Sequence, residues 1–88
     1  MREKEFLNKK KNNIQVTLDD TLSRFYQLAA EAESKGLHID GEFEVHGDLT
    51  VLHANEELIR LIKKLGQETN DLIFQLSEVD HQLSHLAK

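Results

Sequence analysis

The side chains most capable of chemistry are five histidines and sixteen carboxylates, in an 88-residue chain without cysteine. His38, His46 and His53 lie in a stretch that has no lysine or arginine and that holds four acidic residues: Asp40, Glu42, Glu44 and Asp48. Imidazole and carboxylate are suitable zinc ligands, and a two-residue period would place His38 and His46 on one face of a strand. The interpretation we favour is a solvated acidic sheet face, so we predict no metal site here.

A second histidine pair, His81 and His85, has the i, i+4 spacing that can hold a divalent ion on a helix surface. In the heptad register described below, these residues take the outward f and c positions. We therefore expect at most adventitious metal binding at this pair, and no cofactor.

Catalytic machinery has little support in the sequence. The serines lie in predicted helices, without a GxSxG turn, at Ser23, Ser34, Ser77 and Ser84. The glycines are too scattered for a phosphate-binding loop: Gly36, Gly41, Gly47 and Gly66. Carboxylates are numerous enough to pair by chance, and a chain of this size is not expected to form the large pocket that would raise their pKa. The sequence predicts that the protein is not an enzyme.

The first predicted helix covers residues 17–35. Thr17 and Asp20 have the spacing of a capping box, with Asp in place of Glu. Apolar residues then recur on one helical face: Leu18, Leu22, Phe25, Leu28, Ala29 and Ala32. Gly36 is a plausible stop signal. The preceding residues 1–13 form a basic arm that either extends this helix or stays loose.

Residues 37–53 change to a period of two, which indicates strands with one buried face. The apolar set is Leu37, Ile39, Phe43, Val45, Leu49 and Val51. Asp40-Gly41 and Gly47-Asp48 are turn dipeptides, so we predict a small β-hairpin or a three-strand meander. A sheet of this size needs a helix or other chains against its apolar face.

The last predicted helix covers residues 55–87, with Asn55 as its N-cap. Apolar residues recur with alternating spacings of 4 and 3 from Leu58 to Leu86, broken only by Thr69, which predicts a coiled-coil helix. We expect it to self-associate as a parallel homo-oligomer, a trimer or a dimer, because no core within a single chain of this size is expected to cover the stripe. The oligomerisation residues would be Leu58, Ile62, Leu65, Leu72, Leu76, Val79, Leu83 and Leu86.

Gly66 and Thr69 leave an alternative open. Glycine costs about 1 kcal/mol relative to alanine inside a helix, so the chain could end one helix at Gly66 and begin another at Thr69 or Asn70. That arrangement would be an antiparallel helix pair without a partner chain. We favour a continuous helix because the heptad register is the same on both sides of Gly66.

Size and charge limit the range of functions. A chain of 88 residues forms one domain, residues 1–88, with a marginal core, so a partner chain is an ordinary source of further stability. The net charge of −5 disfavours nucleic acid as a partner, although the arm at residues 1–13 carries five basic and two acidic residues. No apolar run is long enough for a membrane span or a signal peptide, so we expect no membrane partner and a cytoplasmic location, or a place in a virion assembled there.

Residues 41–51, Gly-Glu-Phe-Glu-Val-His-Gly-Asp-Leu-Thr-Val, resemble the β repeats of phage tail-fibre and baseplate proteins. In that family, short β segments with glycine about every six residues wind three chains together, often beside a trimeric coiled coil. The resemblance covers 11 of the 88 residues and implies a connector or assembly component of a virion.

The sequence therefore predicts an α+β chain: an N-terminal helix, a small β-hairpin or meander, and a long C-terminal heptad helix in a homo-oligomeric coiled coil. The predicted function is a non-enzymatic oligomerisation or connector protein. The alternative is a small acidic regulator that binds and inhibits a host protein or a nucleic-acid enzyme. Stoichiometric binding of one macromolecule would distinguish this alternative.

Overall fold

The computed structural model describes residues 2–86, which form two long antiparallel helices closed at one end by a small hairpin. The elements are α1 (Arg2–Ser34), β1 (His38–Ile39), β2 (Val45–His46), α2 (Leu49–Ala54) and α3 (Glu56–Leu86). Helices make up 82% of the structure, so the sheet is minimal. The result is a narrow rod of 57 × 17 × 15 Å.

Helix α1 begins at Arg2, fifteen residues before the predicted cap, so the predicted start at residue 17 is wrong. Thr17 lies inside the helix, where its Oγ1 donates a hydrogen bond to the carbonyl of Asn13 at 2.9 Å. Residues 2–13 of the basic arm are therefore helical, and Met1 lies outside the described residues. Leu7 and Ile14 explain the extension, because both are buried (6% exposed) on the face that contacts α3.

Gly36 ends α1, as its sequence predicts. Its φ of 91° lies in the left-handed region, which suits a residue without a Cβ. The Leu37 N–H donates to the carbonyl of Ala32 at 3.0 Å, and the Gly36 N–H donates to that of Glu33 at 3.1 Å, which is the Schellman pattern. Leu37 and Ala32 are both buried in the same core cluster, so the turn also directs the chain back onto α1.

The hairpin is shorter than predicted. Strands β1 and β2 pair antiparallel, with His38 opposite His46 and Ile39 opposite Val45. Leu49 and Val51 are not in a third strand but in α2, so the predicted meander is wrong. The first backbone bond of α2 runs from the Leu52 N–H to the carbonyl of Asp48 at 2.9 Å. Leu49 is 73% exposed, whereas Val51 and Leu52 pack against the core.

Helix α3 continues through Gly66 without interruption, which confirms the continuous helix and excludes a second helix start at Thr69 or Asn70. Its first bond runs from the Ile59 N–H to the Asn55 carbonyl at 3.0 Å. The Asn55 side chain does not cap α3; its Nδ2 donates to the carbonyl of Val51 at 2.9 Å. Residue 87 of the predicted helix lies outside the described residues.

The heptad stripe of α3 packs against α1 of the same chain, in two clusters. Near the hairpin, Ile62 joins Phe25, Ala32 and Leu37, with Leu58 and Leu65 against them. Beyond that, Val79 joins Leu7 and Ile14. The prediction that one chain cannot cover this stripe is wrong, because α1 is 33 residues long rather than nineteen.

Candidate interaction surface and histidine sites

Most of the residues predicted to carry oligomerisation lie in the seam between α1 and α3. Leu72, Leu76 and Leu83 pack around Val79, whereas Leu86 is 41% exposed at the helix end. Since these contacts are made within one chain, a second copy would have to bind a different surface. That surface is best sought in the part of the rod farthest from the hairpin.

We call residues 2–20 of α1 and 70–86 of α3 the distal half. Thr21 and Thr69 lie in the seam at the border of the distal half, on the side of the hairpin. Both are buried, and the Thr69 Oγ1 donates a hydrogen bond to the carbonyl of Leu65 at 2.8 Å. The cluster around Leu7, Ile14 and Val79 is formed by the two helices alone, whereas the hairpin adds a third layer to the other cluster. The distal half is therefore the less covered part of the molecule.

An ion pair joins the two helices in the distal half. Lys11 Nζ lies 2.7 Å from Asp80 Oδ1, and the Lys11 side chain is 33% exposed. Lys11 occupies a seam position of α1, between Leu7 and Ile14. A partly exposed pair contributes only about 0.2–1 kcal/mol, so burial of the neighbouring apolar residues contributes more to the packing of the two helices.

Large apolar side chains are exposed on the distal half. Phe6 and Val16 on α1 are 65% and 69% exposed, and Ile73 and Phe74 on α3 are 50% and 64% exposed. Single exposed apolar residues are common, but with Leu86 five of the eight large apolar side chains exposed in residues 2–86 lie on this half. These four side chains are candidates for contact with another chain.

The N-terminal part of α1 and the C-terminal part of α3 carry opposite charge, although Asp19 and Asp20 reduce the net charge of α1 over the whole distal half to +1 (five basic minus four acidic residues). Residues 2–13 of α1 hold five basic and two acidic residues. Residues 70–86 of α3 hold three acidic residues, Asp71, Glu78 and Asp80, and no lysine or arginine. A second copy that places its α3 against α1 would bring opposite charges together, and charge complementarity of this kind sets orientation in an interface.

Asp40 organises the hairpin loop. Its Oδ1 accepts hydrogen bonds from the backbone N–H groups of Glu42 (2.8 Å) and Glu44 (3.0 Å), and its Oδ2 lies 2.9 Å from His46 Nε2. The bond to His46, followed by the two backbone bonds, lowers the pKa of Asp40 from 3.8 to about 2. The loop beyond it holds Phe43 at a left-handed φ of 64°, which is uncommon for a residue with a side chain.

We expect the hairpin to lose order in acid. The pKa of Asp40 is lower in the folded chain, so its ionised contacts stabilise the hairpin above about pH 4 and are lost as the pH falls through about 2. The carboxyl carbon shift of Asp40, followed by NMR, should titrate well below 3.8. In His46→Ala the midpoint should move up toward 3.8, because His46 is the largest cause of the shift. A wild-type midpoint near 3.8 would contradict the hydrogen-bonded loop.

Within residues 2–86, His38, His46 and His53 do not form a cluster with metal-ligand geometry. His46 pairs with Asp40, and His53 Nδ1 lies 3.3 Å from Glu56 Oε1. His38 lies opposite His46 in the strand register, on the exposed face that the alternation predicts. Among residues 2–86, no group of three or more His, Asp or Glu side chains has an arrangement that could hold a metal ion.

The second histidine pair is closer together. His81 and His85 are both exposed, and a hydrogen bond joins their Nε2 atoms, which lie 3.1 Å apart. Their rings are nearly perpendicular, at 88°, with centroids 4.5 Å apart. The sequence indicated the spacing of this pair, but the approach of the two nitrogen atoms depends on side-chain conformations that only the structure supplies.

No protein-family model matches this chain, and no curated protein or solved structure matches it significantly. Within the described part of the chain, no helix is both long and apolar enough to cross a membrane.

Proposed function

We propose that this protein is a non-enzymatic connector that self-associates through its distal half. The observation that carries the proposal is the exposure of Phe6, Ile73 and Phe74 on two helices whose heptad seam is already filled. Burying such side chains is favourable by about 1.5–3 kcal/mol each when burial is complete. A partner is therefore a substantial source of stability for a chain with a marginal core.

A second copy of this chain is the partner we favour. In a closed symmetric assembly, the same two patches recur on every copy, so α1 of one chain can meet α3 of the next. The basic segment 2–13 and the acidic segment 70–86 are complementary in that arrangement. Self-association by this route differs from the predicted parallel coiled coil, because it leaves the intrachain seam intact.

Solution mass provides the test. Light scattering on a size-exclusion column, at two widely separated protein concentrations, should give two or three chains for the wild type. Phe74→Ser should shift the mass toward that of a single chain. Leu49→Ser is the matched control, since Leu49 is 73% exposed but lies beside the hairpin; it should leave the mass unchanged.

A wild-type monomer at both concentrations would overturn the proposal. The proposal would also be overturned if Phe74→Ser and Leu49→Ser lowered the solution mass equally, because association would then not depend on the distal half. A monomer would favour the alternative, a small acidic regulator that binds one macromolecule. A role in a phage virion is a further proposal that depends only on the resemblance of residues 41–51, of which Leu49–Val51 belong to α2.

A further inference from the structure

We propose that His81 and His85 form a two-ligand site for a divalent transition-metal ion such as Zn²⁺, Ni²⁺ or Cu²⁺. Imidazole nitrogen is a preferred ligand of these ions, and their usual bond to it is about 2.0–2.1 Å long. Two nitrogens bonded to one ion at angles of about 90° to 109° are about 2.9–3.4 Å apart. The Nε2···Nε2 distance of 3.1 Å lies within this range.

The position of the pair in the helix also suits a cation. α3 ends at Leu86, so both histidines lie in its last two turns. The carbonyl end of a helix carries partial negative charge, which favours a cation nearby. Glu78 lies one turn before His81 on the same side of α3, and Ser77, Gln82 and Phe74 border the same shallow depression. Lys11 of α1, a basic side chain that reaches α3, is paired with Asp80 at 2.7 Å.

Two histidines one turn apart on a helix can bind one ion as a chelate, because the helix fixes the spacing of their backbones and the side chains need only adopt the conformation seen here. The remaining coordination positions would be open to water or to an added ligand, which is the arrangement of a non-structural metal site. Hard ions such as Mg²⁺ prefer oxygen ligands and should not bind here.

Isothermal titration calorimetry of the full chain with Ni²⁺ and Zn²⁺ tests the site. His81→Ala and His85→Ala should each weaken binding about tenfold or more, because either change leaves one ligand. His38→Ala and His46→Ala are the controls and should alter affinity by less than about twofold. Both site residues are exposed, so circular dichroism should show the same helix content in all variants.

A second readout is the imidazole nitrogen NMR spectrum during a Zn²⁺ titration. The Nε2 signals of His81 and His85 should move together, before those of the other histidines. Affinity that is unaffected by either substitution would overturn the proposal. Equal losses in the His38→Ala and His46→Ala controls would do the same, since they would identify adventitious binding spread over all the histidines.

Discussion

Replacing Ile62 by alanine should lower the free energy of unfolding by about 2–5 kcal/mol, which is a large part of the total stability of a domain this small. Ile62 is fully buried, and it packs between α1 and the hairpin with Phe25, Ala32 and Leu37. The substitution removes three carbon atoms and leaves a cavity that two long helices cannot easily close. Urea denaturation followed by circular dichroism gives the measurement.

Leu61→Ala is the control, because it also removes three carbon atoms from a side chain of α3, one that is 41% exposed and lies outside the distal half. This substitution should lower the free energy of unfolding by less than about 1 kcal/mol. The difference between the two variants should be the same at low and high protein concentration, since the Ile62 contacts lie within one chain. Equal costs at both positions would show that the heptad register of α3 is wrong.

Gly66→Ala should destabilise the protein, although alanine is the better helix former by about 1 kcal/mol. A Cβ at Gly66 would lie 2.7 Å from both the Cβ and the Cγ of Phe43. The Phe43 Cβ cannot rotate away, because it is attached directly to a backbone held at φ 64°. Crowding of this kind costs about 1–3 kcal/mol, which exceeds the gain in helix propensity.

A double substitution isolates this contact. In a Phe43→Gly background, the obstructing atoms are absent, so Gly66→Ala should become stabilising by up to about 1 kcal/mol. Phe43→Ala should give only partial relief, because alanine keeps the Cβ. Ser77→Ala, at an exposed position of α3, should change stability by less than about 0.5 kcal/mol. Stabilisation by Gly66→Ala in the wild-type background would mean that Phe43 does not pack on this glycine.

At Gly66 the sequence pattern predicts the correct structure without explaining why the residue is glycine. The heptad register predicts a continuous helix through this position, and the helix is continuous. From the sequence alone, a glycine at this position weakens the helix, so a helix end at Gly66 is the alternative prediction. The glycine is needed because the hairpin, distant in sequence, places Phe43 directly on the helix backbone.

The candidate sites were predictable only in part. Repetition identified the heptad residues of α3, and spacing identified His81 and His85 as a pair. The exposed Phe6, Val16, Ile73 and Phe74 are not part of the predicted site, because the prediction places self-association in the heptad core positions. The signal available was that Ile73 and Phe74 lie outside the heptad core positions.

The sequence by itself determined the local elements whose signals are strong and contiguous. These are the long last helix, the Gly36 stop, and the alternation that forms β1 and β2. The predicted strand is wrong for residues 49–53, because the apolar residues Leu49, Val51 and Leu52 fit either a short strand or a helical turn. Alternation alone cannot decide between them when the segment is this short.

Only the tertiary structure decided what covers the heptad stripe of α3. Helix α1 has the same alternating spacing, 7, 11, 14, 18, 21, 25, 28 and 32, but Lys11, Thr21 and Ala32 occupy core positions and weaken the apolar pattern. Lys11 is accommodated in the seam because Asp80 of α3 lies 2.7 Å away. The seam pattern of α1 can thus be recognised only once α3 is packed against it, because burial and charge pairing depend on both surfaces.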